Sequence, residues 1–314
     1  MDPLSQATIG ALAPQATTKK KKQFAMATLC GAIAGMAPDL DVLIQSKTDP
    51  LLFLEYHRQF THSLLFIPIG GFICAGFIWL IIRSWRHQFK SLYFYSTLGY
   101  ATHGLLDSCT SYGTLLFWPI TNYRVSWDII SIIDPVFTLP LLALAVLSLI
   151  KKQRKFALYG CVFAAMYFAL GVLQNHRAVA AGEQLAAERG HTPLSISAKP
   201  SFANLLVFKT IYQTKDRYYV DAVRVGWAIK IYEGQSIAKL DLDRDFPQLD
   251  KQSQSYKDIL RFSWFSQGYV ALHPTKTNHV IDVRYSMLPN EIDPLWGIKI
   301  PNPNIHEHVD YLMY

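Results

Sequence analysis

The stretch SLLFIPIGGFICAGFIWLII, Ser63–Ile82, holds no charged residue over 20 positions and is followed at once by Arg83. A helix that crosses a bilayer needs about 20 apolar residues at about 1.5 Å each. Ser63–Ile82 therefore predicts a membrane span. Four more apolar runs lie around it: Phe24–Ala37, Leu92–Leu106, Ile129–Ile150 and Phe156–Leu173. Ile129–Ile150 is also long enough to cross. Phe24–Ala37 and Leu92–Leu106 are short, which puts their polar ends partly inside the bilayer or in a water-filled dip. Leu4–Ala16 is weaker, a short span or an interfacial helix. The basic run Lys19–Lys22 follows it, the reverse of a cleaved signal peptide.

Composition agrees with a membrane chain. The 314 residues are 51% hydrophobic and 17% charged, with mean hydropathy +0.14. Soluble domains carry about a quarter charged residues. Disordered, collagenous and disulfide-framework classes are excluded. Cys30, Cys74, Cys109 and Cys161 all lie in the apolar part without a CxxC pair, and read as small core residues. The net charge of +7 is uneven: residues 1–175 hold 14 basic and 8 acidic residues, residues 176–314 hold 16 and 15. The excess sits in clusters between apolar runs and forms no stripe, so no nucleic-acid partner is expected.

Those clusters set a topology. Lys19–Lys22, then Arg83, Arg86 and Lys90, then Lys151, Lys152, Arg154 and Lys155 fall on one side if each run spans. By the positive-inside rule that side is the cytoplasm. The opposite side then receives Asp39, Asp41, Asp49, Glu55, Asp107, Asp128 and Asp134, with His57, His62 and His103. From about Asn175 the character changes. Glu183–Arg189 is a polar helical stretch and His191–Pro200 reads as a loop. Asn204–Tyr212, Tyr218–Val225, Trp227–Tyr232 and His279–Met287 read as strands, and Tyr256–Phe265 as a helix. In the last strand, Ile281, Val283, Tyr285 and Met287 alternate with Asp282, Arg284 and Ser286. The expected architecture is an α-helical integral membrane domain of about five to six helices over residues 1–175. A soluble, mainly antiparallel α+β domain follows over residues 176–314, on the same side as the acids.

The converging polar residues carry the chemistry. Asp39 and Asp41 stand in Pro38-Asp39-Leu40-Asp41, directly after an apolar run. Charge at membrane depth costs at least about 2.5–3.5 kcal/mol unless it is paired, hydrated or metal-bound. His57-Arg58-Gln59-Phe60-Thr61-His62 leads into the second span, with Thr61 as an expected N-cap and His62 in the first turn. Arg58 offers a planar fork to an anionic oxygen. His103 and Asp107, four apart, share a helix face and suit two ligands of one metal. Asp134 lies more than a turn inside the Ile129–Ile150 run. Each has a plainer account: a solvated helix end for the aspartate pair, headgroup-facing histidines, a buried packing pair, and an acid paired with Arg124. Together they give His and Asp ligands without cysteine. That set fits zinc, manganese or a related divalent ion, which would activate water or polarise a carbonyl or phosphoryl oxygen. His306 and His308 near the C-terminus read as a solvated end.

In order along the chain stand Met1-Asp2-Pro3-Leu4-Ser5-Gln6, Pro38–Asp41, His57-Arg58 with Thr61-His62-Ser63, His103–Asp107, Ser111–Thr114 and Asp134. This ordered set, over roughly residues 1–175, resembles the bacterial inner-membrane metal-dependent hydrolase family, the YdjM-like group. The HxxxD helix is more distantly similar to those of zinc-dependent phospholipase C and the related single-strand nucleases. The resemblance implies a multi-span helical domain with a hydrolase-like metal site. At position 6, where relatives carry His, this chain departs with Gln6.

The expectation is a multi-pass inner-membrane hydrolase with the C-terminal domain in the periplasm. Its ligands are Asp39, Asp41, His57, His62, His103, Asp107 and Asp134, enough for one or two ions. Asp41 is left for general-base work, and Arg58 stabilises developing negative charge. A lipid-like or phosphoester substrate arrives from the outer face of the bilayer. Two rivals stand beside it. One is a non-catalytic membrane protein with a structural metal and a partner-binding periplasmic domain. The other is a transporter, against which the polar residues gather at one face.

Overall fold

The computed structural model describes residues 1–301 and 307–314. Its helices, in chain order, are α1 (Pro3–Thr17), α2 (Phe24–Met36), α3 (Leu52–Tyr56), α4 (Ile67–Ile81), α5 (Phe89–Ser108), α6 (Pro135–Lys151), α7 (Arg154–Glu188), α8 (Leu242–Asp245) and α9 (Gln254–Phe265). The strands are β1 (Ser195–Pro200), β2 (Val207–Gln213), β3 (Arg217–Val225), β4 (Ile229–Ala238), β5 (Val270–Leu272), β6 (His279–Asp282), β7 (Trp296–Lys299) and β8 (Asp310–Met313). The chain forms two interleaved units. One takes Met1–Val42, His57–Leu173 and Phe202–Leu205; the other takes Leu43–Tyr56, Gln174–Ser201 and Leu206–Tyr314. The boundary expected near residue 175 falls beside one of the crossings between them.

The first unit is helical. Among the described residues, three stretches are long and apolar enough to cross a membrane: Lys21–Leu43, Leu64–Ile81 and Arg154–Glu188, the last of which continues into the second unit. α6 is shorter, because Asp134 caps it and Pro135 opens it, so the first residues of the Ile129–Ile150 run lie outside the helix. α5 interrupts its apolar pattern with His103 and Asp107. Apolar side chains of α4 and α7 such as Phe72, Phe77, Val162 and Met166 are exposed, as lipid-facing residues are. α1 is no surface helix. It packs against α2, α5 and α6 and buries Ser5, Gln6, Thr8 and Gln15. Gly31 makes this possible: a Cβ there would lie 2.1 Å from the Gly10 carbonyl oxygen. Two of the basic clusters line one cavity of about 450 Å³, through Lys19 and Lys21 on one side and Lys152, Arg154 and Lys155 on the other.

The second unit holds two antiparallel four-stranded sheets, ordered β1-β2-β3-β4 and β5-β6-β7-β8. Ile211, Tyr218, Val220, Ala271, Ile281 and Val283 form the apolar core they share. Ala178 and Ala181 of α7 pack on Phe208, Val223 and Val225 of the first sheet. The polar stretch Glu183–Arg189 falls largely within the end of α7. β1 replaces part of the loop expected at His191–Pro200. It is an edge strand whose proline sits at its end, where no ladder donor is needed. The strand expected at His279–Met287 stops at Asp282. Two of the residues that alternate with its apolar side chains are buried as a pair: Arg284 forks onto Asp282, with Nη2 to Oδ2 at 2.7 Å and Nε to Oδ1 at 3.0 Å.

Within this unit Arg261 of α9 gathers three carboxylates. It donates to Asp49 at 2.8 and 3.0 Å, to Glu55 at 2.5 Å and to Asp258 at 2.9 Å. Residues 43–56 are thereby fastened to α9. His308 Nδ1 lies 2.8 Å from Asp258 Oδ2, so it is held in this cluster, not solvated as expected. His306 lies outside the described residues.

Candidate metal centre

Proline places the first two acids. Pro38 has no amide hydrogen to continue α2, and the chain tightens into a 3₁₀ turn, Ala37–Leu43, that carries Asp39 and Asp41. A second 3₁₀ turn, Phe60–His62, carries Thr61 and His62. Thr61 is not the N-cap expected of it. Its hydroxyl donates to Asp41 Oδ2 at 2.8 Å, and Ser63 separates this turn from the next helical segment. α5 presents His103 and Asp107 on one face, both fully buried. Between them, Gly104 admits the backbone of His62: a Cβ at 104 would lie 2.2 Å from the His62 carbonyl oxygen.

Hydrogen-bond partners fix which ring nitrogens carry hydrogen. His103 Nδ1 lies 2.6 Å from the Gly35 carbonyl oxygen, which only accepts, so Nδ1 donates and Nε2 keeps its lone pair. His62 Nδ1 lies 3.0 Å from the Thr61 hydroxyl, whose own hydrogen goes to Asp41, and 3.2 Å from Asp41 Oδ2; both accept, which leaves Nε2 bare in the neutral ring. The two Nε2 atoms face each other at 2.9 Å. Asp39 Oδ1 is 3.4 Å from one and 3.3 Å from the other; Asp107 Oδ2 is 3.3 and 3.6 Å away. Asp107 Oδ2 has no hydrogen-bond partner among the described residues. With both rings neutral, four lone-pair atoms converge here, an arrangement that a bound cation would stabilise. A tetrahedral ion with bonds of about 2.0–2.1 Å has ligand–ligand edges of about 3.3–3.4 Å, which these separations bracket. Burial by itself pushes the His62 imidazole down, but Asp107, Asp39 and Asp41 around it lift it to about 10. The carboxylates thus favour positive charge at this point.

The surroundings orient these groups. Gln6 Nε2 donates to Asp107 Oδ1 at 2.9 Å, and the Met1 amino group pairs with the same oxygen. Arg58 Nε lies 3.2 Å from Asp107 Oδ2, with its guanidinium over the Tyr112 ring. Arg58 has φ 63°, a left-handed conformation that costs a non-glycine residue energy. Its N–H donates to Asp41 Oδ2 at 3.0 Å and its carbonyl accepts from Leu115 at 2.9 Å. Asp41, Asp39 and His57 form a second cluster of ligating type that shares Asp39 with the first. His57 Nδ1 sits 2.7 Å from Asp41 Oδ1. Burial holds the His57 imidazole below its ordinary value, and Arg58 adds to the effect. The side chains of Asp39 and His57 keep 29% and 20% of their surface exposed, so the centre is open on their side.

Six of the seven expected ligands thus come together. Asp134 does not. Its Oδ1 accepts from Val136 and Phe137 at the start of α6, and its Oδ2 accepts from the Tyr167 hydroxyl at 2.7 Å. An aspartate before Pro135 is a helix cap first, and the apolar run hid that. Sequence reasoning missed Thr61, the Gly35 carbonyl and Gly104. Of these only Gly104 left a trace, a small residue beside His103. The departure at Gln6 marked a position that does touch the site, through Asp107.

The family described as YdjM inner membrane protein matches residues 1–178. A curated relative, inner membrane protein YbcI of Escherichia coli (strain K12), is 32% identical over 107 residues, covering 32% of this chain. The match takes in 60% of that relative's length. No solved structure matches.

Proposed function

Because this chain belongs to the YdjM inner membrane protein family, we propose that its helical unit is a membrane-embedded, metal-dependent hydrolase, with zinc as the first candidate ion. One observation carries the reading: His62 Nε2, His103 Nε2, Asp39 Oδ1 and Asp107 Oδ2 converge at mutual distances that suit the ligands of one ion. A divalent ion held by these four would supply Lewis-acid polarisation and lower the pKa of water. The chain's own groups do the rest. Asp41 orients His62 through Nδ1 and holds His57 through Oδ1, so the proton-transfer role expected of Asp41 passes to His57 Nε2 on the open side. Arg58 keeps positive charge against Asp107, where an anionic substrate would otherwise meet uncompensated carboxylate. Leu40 and Val42, exposed beside Asp39 and Asp41, suit a substrate with acyl chains. A lipid phosphoester combines both demands. The positive-inside rule puts this opening, and the C-terminal domain, in the periplasm.

The second reading is a structural ion, favoured by the count of protein donors: four of them close a tetrahedral shell. Metal analysis of the purified protein decides first. Near-stoichiometric divalent metal is expected, lost in His62→Ala and in Asp107→Asn. Unchanged content in both variants removes this ligand set. Turnover of a panel of phospholipid esters by the loaded protein then separates the readings. Bound metal without turnover on any of them leaves the structural one.

A further inference from the structure

The β3–β4 hairpin ends in Gly226-Trp227-Ala228, and the Trp227 side chain is completely exposed. A tryptophan that touches nothing at a hairpin tip gains no burial from the fold. Its neighbours are of the same kind. Ile229, which pairs with Val225 at the start of β4, is exposed, and so is Leu206, whose carbonyl accepts from the Val225 amide at 2.7 Å. Arg224 and Lys230 are directly opposed across the hairpin and both exposed. Like charges at opposed positions repel, so this pair destabilises an isolated hairpin.

Two features of the chain say what covers this tip. Gln174 Nε2 donates to the Val225 carbonyl at 2.9 Å, and Arg177 Nη2 donates to the Gly226 carbonyl at 2.6 Å. Gln174 is the first residue of α7 after its apolar stretch, whose last residue, Leu173, is exposed as a lipid-facing side chain would be. Leu206 follows directly on Phe202–Leu205, a segment that belongs to the helical unit and bonds through Ala203 to Ile133 and Ser131 just before α6. The tip is thus tied to the point where the apolar stretch of α7 ends, and Leu206 joins in sequence a segment of the helical unit.

We propose that this hairpin tip is a membrane anchor, with Trp227, Ile229 and Leu206 seated at the headgroup–acyl boundary and Arg224 and Lys230 on anionic headgroups. Tryptophan favours that zone because its ring is apolar with one polar N–H. Anionic headgroups also remove the repulsion between the opposed cations.

The full-length protein, with Cys161→Ser to remove its exposed native thiol, carries a nitroxide at Trp227→Cys or, as a solvent control, at Gln252→Cys. It is placed in nanodiscs of phosphatidylethanolamine and phosphatidylglycerol, and separately in lipid-free amphipol. In nanodiscs the label at 227 should lose collisions with a water-soluble nickel chelate and keep those with oxygen, while the label at 252 collides freely with the chelate. In amphipol the protection at 227 should disappear. Adding Arg224→Glu and Lys230→Glu should restore chelate access at 227 in the nanodiscs. Equal chelate access at 227 and 252 in nanodiscs overturns the proposal. So does protection at 227 that persists without lipid, since a second copy of the chain would then be the cover.

Discussion

Lys209 shows how one buried amine sets a pH dependence for the sheet unit. Its Nζ donates to Ser286 Oγ at 2.6 Å and to the Glu291 carbonyl at 2.9 Å. Burial pushes its pKa down from 10.5 to about 7, against the pull of Asp282 and Glu291. Between about pH 7 and 10 the unfolded chain therefore binds more protons than the folded one, and stability rises with pH. The slope approaches about 1.4 kcal/mol per pH unit where the difference is one proton. Below about pH 7 both states are protonated, and the cost of burying the charge is constant. Lys209→Met should flatten this rise, measured as the urea midpoint of the sheet unit at pH 7 and pH 9.5 in detergent. An unchanged slope would assign it to other groups. Nothing in the local sequence marks this lysine, because burial in a sheet comes from cross-strand partners far along the chain. Asp39, His62, His103 and Asp107 were legible for the opposite reason: acids and histidines at the ends of apolar runs are costly there unless they pair or bind a cation. Asp134 shared that signal and misled, since a cap and a ligand look alike until the proline after it is weighed.

At the scale of elements, the centre depends on how closely a turn approaches a helix. Alanine at position 104 would help α5 by about 1 kcal/mol in helix propensity. It would also drive a methyl group into the His62 carbonyl oxygen, where the neighbour is backbone and cannot swing aside. Overpacking of this kind costs about 1–3 kcal/mol, so displacement of the His62 turn wins. Gly104→Ala is expected to keep its helix content by circular dichroism and to bind metal about 10–100-fold more weakly, as for lost orienting contacts. Wild-type affinity in a chelator competition would show that the turn has room to move. The apolar runs and their basic punctuation were readable because both follow from bilayer thickness and charge. The start of α6 was not, nor were the short strands β1, β5, β7 and β8, whose few residues carry little periodicity of their own.

The whole molecule can be tested for orientation with a single cysteine. A cysteine at Asp250, exposed in the second unit, should react with an impermeant maleimide in intact spheroplasts. Reaction only after the inner leaflet is breached would invert the topology. The lining of one cavity by Lys19, Lys21, Lys152, Arg154 and Lys155 supports a common side for two of the three basic clusters. The fastening of residues 43–56 by Arg261 has a consequence for descent. Two genes recombining at a single point near residue 174 would join one parent's Asp49 and Glu55 to the other parent's α9. Unless that helix also offers an arginine in register, the hybrid leaves two acids facing no cation. Loop and tail are therefore expected to travel through lineages as a linked pair, and a chimera that borrows the tail should borrow residues 43–56 from the same donor.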